Sequence, residues 1–448
     1  MFMQRFYRAF SIEYIRCILY NYSIAFAADY DSLILYYLMR KAMEKKYTLK
    51  EKMGALGPGM LIVGSFIGPG TVTSSTRAGA QYGFTLLWCV IFSVIAVIVT
   101  QGMSARLGII TQKDLAQNLV DDFQDRPTLK FLLCGLVAIA ITIGGFAYMA
   151  GDLTGTSLGI SALTGVSTKI IAPIWGCCIL IIYFFAGDVV KNLEKLLGVC
   201  VVIMAVVFVI TMFIVKPDMG AFFRGIVPTV PKGSLMTCLA LIGTTVVPYN
   251  MFLHAASAKR TWHTPEELPL CRFGTNVPMI IGGIVTGSIM VTSATVMKGM
   301  EVNNAMDMAV QLEPTLGHFA QPFMAIGLIA AGISSAVCTP MGVSYVLAGL
   351  FGWETNRSDK RYTAVNAAVL LTGIVIAALG TNPLGLIMTA QAVNGIVLPV
   401  VVGVVVYLTS RSRIMGKYKN GPVSIILGLG IFAVSLILGV SSFIGVFK

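Results

Sequence analysis

Runs of about twenty apolar residues, without the every-second-residue polarity of a membrane strand, recur along this chain and predict membrane-spanning helices. They fall at about 55–80, 84–105, 131–155, 169–186, 194–215, 234–257, 276–297, 319–349, 363–380, 384–409 and 423–445. Two of these eleven runs are broken near their middles. The first carries Gly68-Pro69-Gly70-Thr71 and the sixth Val247-Pro248-Tyr249-Asn250. A proline inside a helix removes one N–H and displaces the carbonyl one turn earlier, and hydrocarbon cannot satisfy the groups so freed. Such breaks are tolerated where they face protein, water or a substrate, and a matched pair in two halves of a chain points to a transporter's binding site.

Spans 1–5 and 6–10 form two halves, about 53–215 and 234–410. An odd number of spans per half inverts the second half relative to the first, and the run 423–445 lies outside the repeat. The expected architecture is an all-α integral membrane protein with a 5+5 inverted repeat, one membrane domain over 53–448 and a tail over 1–52. Lysine and arginine set its orientation. With the N-terminus inside, the segments around Lys45–Lys52, Arg106–Lys130, Lys191–Lys195, Lys259–Arg272, Arg357–Arg361 and Arg411–Lys419 are cytoplasmic. The opposite side holds Arg77, Lys169, Lys216, Arg224, Lys232, Lys298 and Lys448, a bias of roughly threefold that puts the C-terminus outside. A plasma-membrane location follows as the expectation.

Composition agrees with this class: 56% of the 448 residues are hydrophobic and 12% charged, against about a quarter charged in soluble domains. The net charge of +12 lies between spans rather than in basic patches interleaved with aromatics, so no nucleic-acid partner is expected; the partners are the bilayer and a small solute or ion. The nine cysteines sit mostly inside spans without metal-ligand spacing and read as small apolar residues; no cofactor and no metal cluster is expected. No nucleotide loop, paired carboxylates or nucleophile–base spacing supports an enzyme. Met1 to Arg40 is rich in tyrosine and faintly like a signal peptide, but Tyr20-Asn21-Tyr22-Ser23 interrupts its apolar core. It reads as a disordered tail or a mispredicted start, with an ordinary cytoplasmic N-terminus from Met43.

Gly64-Ser65-Phe66-Ile67-Gly68-Pro69-Gly70-Thr71 resembles the first broken helix of the Nramp family of proton-coupled divalent metal transporters. Tyr82-Gly83-Phe84-Thr85-Leu86-Leu87-Trp88 is similar to that family's entry into helix 2, and Ala105-Arg106-Leu107-Gly108 with Thr111-Gln112-Lys113-Asp114-Leu115-Ala116 to the loop after it. Val247 to His254 is similar to its helix-6 break. The resemblance covers about 53–410 and implies a LeuT-like fold. It also implies substrate-binding roles at Gly68, Thr71, Thr244, Val247, Tyr249 and Gln391, and proton-pathway or gating roles at Asp152 and His254.

The chain departs from the family pattern where the metal would be held. The family's Asp-Pro-Gly-Asn has Gly68 and Thr71 at its two ligand positions, its Met-Pro-His-Asn has Val247 and Tyr249, and its second helix-3 acid is Gly155. A site of hydroxyls and freed backbone groups has no negative charge, so high-affinity selection of Mn²⁺ or Fe²⁺ is not expected, whereas a hydrated cation could still be carried. The outer halves of helices 1 and 6 are expected to present positive N-termini, which would suit an organic anion or zwitterion. Arg77 would add to that field if it faced the pathway; otherwise it snorkels to the outer interface. A sensor that keeps the fold without transport is the third reading. Asp152 is either intramembrane or in an outer loop, His254 either relays protons or is a packed core histidine, and Asn250 ties the broken backbone.

Overall fold

The structure, a computed structural model, describes residues 47–446 except 186, 357 and 381. The tyrosine-rich stretch Met1 to Arg40 lies outside the described residues, as do the side chains of Asp188, Lys191, Glu194 and Lys195. The chain divides into two compact units, 1–51 and 52–448. Near the end of the first, the Thr48 N–H donates to the Glu51 carboxylate at 2.7 Å and the Glu51 N–H donates to Thr48 Oγ1 at 3.2 Å, a capping box at a helix start.

The first expected span is a bent pair, α1 (Leu49–Phe66) and α2 (Pro69–Tyr82), with a 62° change of direction. Then come α3 (Leu87–Thr111), the short α4 (Leu115–Asp122), α5 (Pro127–Thr164), α6 (Thr168–Phe185), α7 (Gly187–Ile214) and α8 (Met219–Arg224). The sixth span is again two helices, α9 (Leu235–Thr245) and α10 (Pro248–Thr261). It is followed by α11 (Leu268–Val296), the short α12 (Ala305–Ala309) and α13 (Glu313–Leu316), and α14 (Ala320–Phe351). The chain continues through α15 (Lys360–Leu379), α16 (Pro383–Ser410), α17 (Ser412–Met415) and α18 (Pro422–Val446). Among the described residues nine helical segments are long and apolar enough to cross a membrane, and α1–α2 makes a tenth. The shorter apolar stretch Thr168–Ile182 occupies the place of the fourth expected span.

Several helices run past the ends expected from hydropathy. The span expected at 131–155 is the 38-residue α5, stopped only where Gly165 takes a left-handed φ of 73° and its N–H returns to Ser161 O. The span expected from 276 begins at Leu268, so Arg272 lies within α11, and Arg106 lies within α3. Hydropathy averages over a window and ends a span at its first charge, whereas backbone hydrogen bonding continues to the next cap. The linkers between spans contain the short helices α4, α8, α12 and α13. Asp114 starts α4 with a capping box, accepting from Gln117 N–H at 2.8 Å while its own N–H donates to Gln117 Oε1 at 3.1 Å.

The broken helices sit among unbroken ones: α5 packs along α14 and α16, α9 along α16, α2 along α11, and α3 along α10 and α11. Without a hydrophobic drive between helices in lipid, close approach depends on small residues. A Cβ on Gly243 of α9 would lie 2.0 Å from the Gln391 carbonyl of α16, so no side chain fits there. On the outer faces Val199, Val202, Val206 and Ile210 of α7 are exposed at helical spacing, as are Leu132, Leu136, Ile139 and Ile143 of α5. Apolar stripes of this extent face lipid, not water.

Candidate functional site

The two breaks are built alike. Each second half begins with proline at its first position, Pro69 in α2 and Pro248 in α10, where a missing N–H costs nothing. Gly68 precedes Pro69 in extended conformation (φ −113°, ψ −175°) and Val247 precedes Pro248 likewise (φ −73°, ψ 122°). Extended backbone is what a residue before proline adopts. The unwinding is therefore narrower than the sequence motifs: Ile67–Gly68 and Val246–Val247, with Gly70, Thr71 and Tyr249 already helical.

Hydroxyls tie the breaks together. Thr71 Oγ1 donates to the freed Phe66 carbonyl and lies 2.9 Å from Thr244 Oγ1 of α9. Asn250 Nδ2 of α10 donates to Ser65 Oγ of α1 at 2.8 Å, so its side chain links the two broken spans to each other and bonds no freed backbone group. The expectation about helix ends needs correction. N-termini at the breaks belong to α2 and α10, the second half of each span, while α9, the first half of helix 6, presents its carbonyl end. The breaks offer acceptors as well as donors, and the field is not uniformly positive.

The larger correction concerns charge. Asp152 is fully buried well inside α5, and not in an outer loop. Its Oδ2 accepts from Ser335 Oγ at 2.7 Å and Thr339 Oγ1 at 3.2 Å, both of α14. Its Oδ1 has no partner, and a Cβ built on Gly68 would stand 3.6 Å from it. A carboxylate thus reaches the first break from the third span. Tyr249 OH lies 3.2 Å from Thr339 Oγ1, and the Tyr148 ring meets Tyr249 edge-on at 6.2 Å. Most buried hydroxyls in these spans donate to the carbonyl one turn earlier, as Ser93, Thr100 and Thr154 do. Other polar atoms near the breaks lack such a bond: Asp152 Oδ1, Asn250 Oδ1 and both amide atoms of Gln391 are buried and unpartnered. Unsatisfied polar atoms are rare in native interiors, and each calls for a reason, a bound ion or water among them.

The family model described as natural resistance-associated macrophage protein-like matches residues 59–445. The chain belongs to the Nramp family. It is 27% identical over 380 residues to the divalent metal cation transporter MntH of Klebsiella pneumoniae, covering 83% of this chain and 89% of that one. The fold superposes on a manganese transporter of Eremococcus coleocola with TM-score 0.71 at 17% identity, over 89% of this chain and 88% of that one. It also resembles MhsT, solved with L-phenylalanine, at TM-score 0.55 and 16% identity, over 87% and 98% of the two chains. The LeuT-like fold is therefore shared with transporters of different cargo.

In this Nramp protein Gly68, Thr71, Thr244, Tyr249 and Asp152 come together. Gln391 lies beside them: its Nε2 would be 2.1 Å from a Cβ on Gly70 and 3.4 Å from one on Gly151, so it fills the gap between α2 and α5. Val247 is buried and contributes its backbone, the carbonyl accepting from Asn250 N–H. His254 stands apart, its Nδ1 3.0 Å from Gln101 Oε1 and its Nε2 3.4 Å from Thr275 Oγ1. Arg77 is half-buried on α2 with its Nε unpartnered. Gly155 has a structural role, since a Cβ there would meet Pro69 Cβ at 2.1 Å; it is the notch in α5 that receives the break. Sequence reading missed Ser65, Tyr148, Ser335 and Thr339. A signal existed for two of them, hydroxyls four residues apart just before Pro340 in an otherwise apolar span. Among the described residues no group of three or more His, Cys, Asp or Glu surrounds a common point.

Proposed function

We propose that this Nramp protein is a secondary transporter that moves a divalent cation by alternating access around the two breaks, holding it with oxygen ligands alone. The observation that carries the reading is Asp152, whose buried Oδ1 is unpartnered beside Gly68 while hydroxyl donors from α14 occupy Oδ2. One carboxylate, the Thr71 and Thr244 hydroxyls, the Gln391 and Asn250 amide oxygens and freed carbonyls form a hard-oxygen set that suits Mg²⁺-like or partly hydrated ions. With Val247 and Tyr249 where thioether and imidazole would stand, nothing in the set favours Mn²⁺, Fe²⁺ or Cd²⁺ by softness. MntH relatives carry divalent metal cations, which supports the cargo class. Asp152 also places negative charge where an anionic head group would sit, which weighs against an organic anion. We place the N-terminus in the cytoplasm of a plasma-membrane protein, with repeats at about 53–215 and 234–410, and assign no catalytic step.

The test is uptake into proteoliposomes of Mg²⁺, Ca²⁺, Mn²⁺ and Cd²⁺, paired with calorimetry on the purified protein. Saturable uptake of a hard cation without preference for Cd²⁺ is the expected result. Micromolar, Cd²⁺-preferring binding would overturn the oxygen-only site. Saturable uptake of an amino acid or organic acid, with no cation taken up, would overturn the cargo class.

A further inference from the structure

We propose that the cleft between α3, α11 and α18 binds the phosphate head group of an anionic phospholipid. The cleft has a volume of about 340 Å³ and is lined by Arg106 of α3 and Arg272 of α11, with Asn276 and Ser424 beside them and no acidic residue. Both guanidiniums line the same cleft. Arg106 donates through Nη2 to Asn420 Oδ1, while its Nε is shut away from solvent without a partner. An arginine that merely snorkels leaves its donors in water; Arg106 does not. Arg272 stands exposed at the same cleft. Two uncompensated cations, one with a buried unsatisfied donor, call for an anion with several acceptor oxygens, and phosphate fits the guanidinium fork.

Position decides the source of that phosphate. Arg106 lies five residues before the end of α3, Arg272 in the second turn of α11 and Ser424 in the first turn of α18. At 1.5 Å per residue these are within about 8 Å of the helix ends, the depth of lipid head groups. The start of α18 and of α11 each add the positive end of a helix dipole. The remaining wall is apolar, with Ile98, Val99, Met103 and Leu427, and Leu427 is 41% exposed on the outer surface of α18. A basic pocket between spans that opens onto such a surface suits a lipid rather than a free ion. Phosphatidylcholine would bring its own cation against the second arginine, so the head group is net anionic. Occupancy would tie α18, which lies outside the repeat, to α3 and α11.

The experiment uses the full chain in detergent, with lipid adducts counted by native mass spectrometry and thermal unfolding followed in parallel. Phosphatidylglycerol, phosphatidylcholine and inorganic phosphate are titrated separately. Phosphatidylglycerol should bind and raise the unfolding temperature, with the other two weaker or silent. Arg272→Gln alters an exposed side chain and should weaken phosphatidylglycerol about five-fold; with Arg106→Gln added the loss should reach about 25-fold. If Arg106→Gln proves unstable, the single Arg272 variant carries the test. Unchanged binding in Arg272→Gln, or equal binding of phosphatidylcholine, would overturn the site. A full stabilising effect from inorganic phosphate alone would show a soluble anion as the ligand and overturn the lipid assignment.

Discussion

Replacing Asp152 by asparagine should abolish cation transport while leaving the empty protein as stable as before or more so. The two side chains have nearly the same shape. The amide oxygen can keep the bonds from Ser335 and Thr339, and the amide nitrogen takes the unpartnered place beside Gly68. A unit charge pair at 4 Å is worth about 4 kcal/mol at an effective dielectric constant of 20, so about 8 for a dication. Much of that is offset by stripping water from the ion. The net loss on removing one partner of a buried charge pair is about 2–5 kcal/mol, which is about 30-fold or more in cation affinity. In the empty protein the sign reverses: a neutral amide costs less to bury than a bare carboxylate oxygen, so although the amide nitrogen stays unpartnered the variant should unfold at the same temperature or higher. The assay pairs cation uptake in proteoliposomes with thermal unfolding in detergent free of divalent ions. An Asn variant that transports with unchanged KM would refute the role given to Asp152. One that unfolds well below the parent would show that the charge is structural.

Three further outcomes follow from the same geometry. Gly68→Asp, Thr71→Asn and Val247→Met together should confer Mn²⁺ and Cd²⁺ binding, because Gly68 has an ordinary extended φ and a Cβ there meets Ser335 at 3.5 Å, within normal contact; a folded triple variant with flat isotherms for both ions would show that the surrounding cavity no longer suits a metal. Gly155→Ala should destabilise the protein by about 1–3 kcal/mol and slow transport, since its methyl would displace Pro69; unchanged melting and uptake would mean the notch is loose. Asp114→Ala removes the α4 cap together with the bonds from Tyr345 OH at 3.0 Å and Lys259 Nζ at 3.4 Å. It should cost about 1–2 kcal/mol, and faster proteolysis near 114–122 would report it.

The sites of both breaks were legible because proline and glycine act locally: Gly68-Pro69 and Val247-Pro248 dictate extended-then-helical backbone whatever surrounds them. The spans were legible because lipid demands long apolar runs. The charge of the site was not. Asp152 is 84 residues from Gly68, and only the packing of α5 against the first break brings its carboxylate there; the residues of the two breaks by themselves make a neutral site. Ser335 and Thr339 were hidden for the same reason, as hydroxyls in a span ordinarily bond their own helix. Gly155 misled in the opposite direction. It looked like a lost acid, when the space at that position is already filled by Pro69.

The hydroxyl pair between the breaks bears on the return half of the cycle. Thr71 satisfies the Phe66 carbonyl and meets Thr244, so the protein's own side chains can cover the groups that the breaks free. Neutral hydrogen bonds of this kind contribute only about 0.5–1.5 kcal/mol each, a small toll on reopening to either side. A carrier whose unloaded form can close and reorient is not bound to swap one ion for another. On the proposed transport reading, net influx should therefore continue when the far side holds no cation to trade.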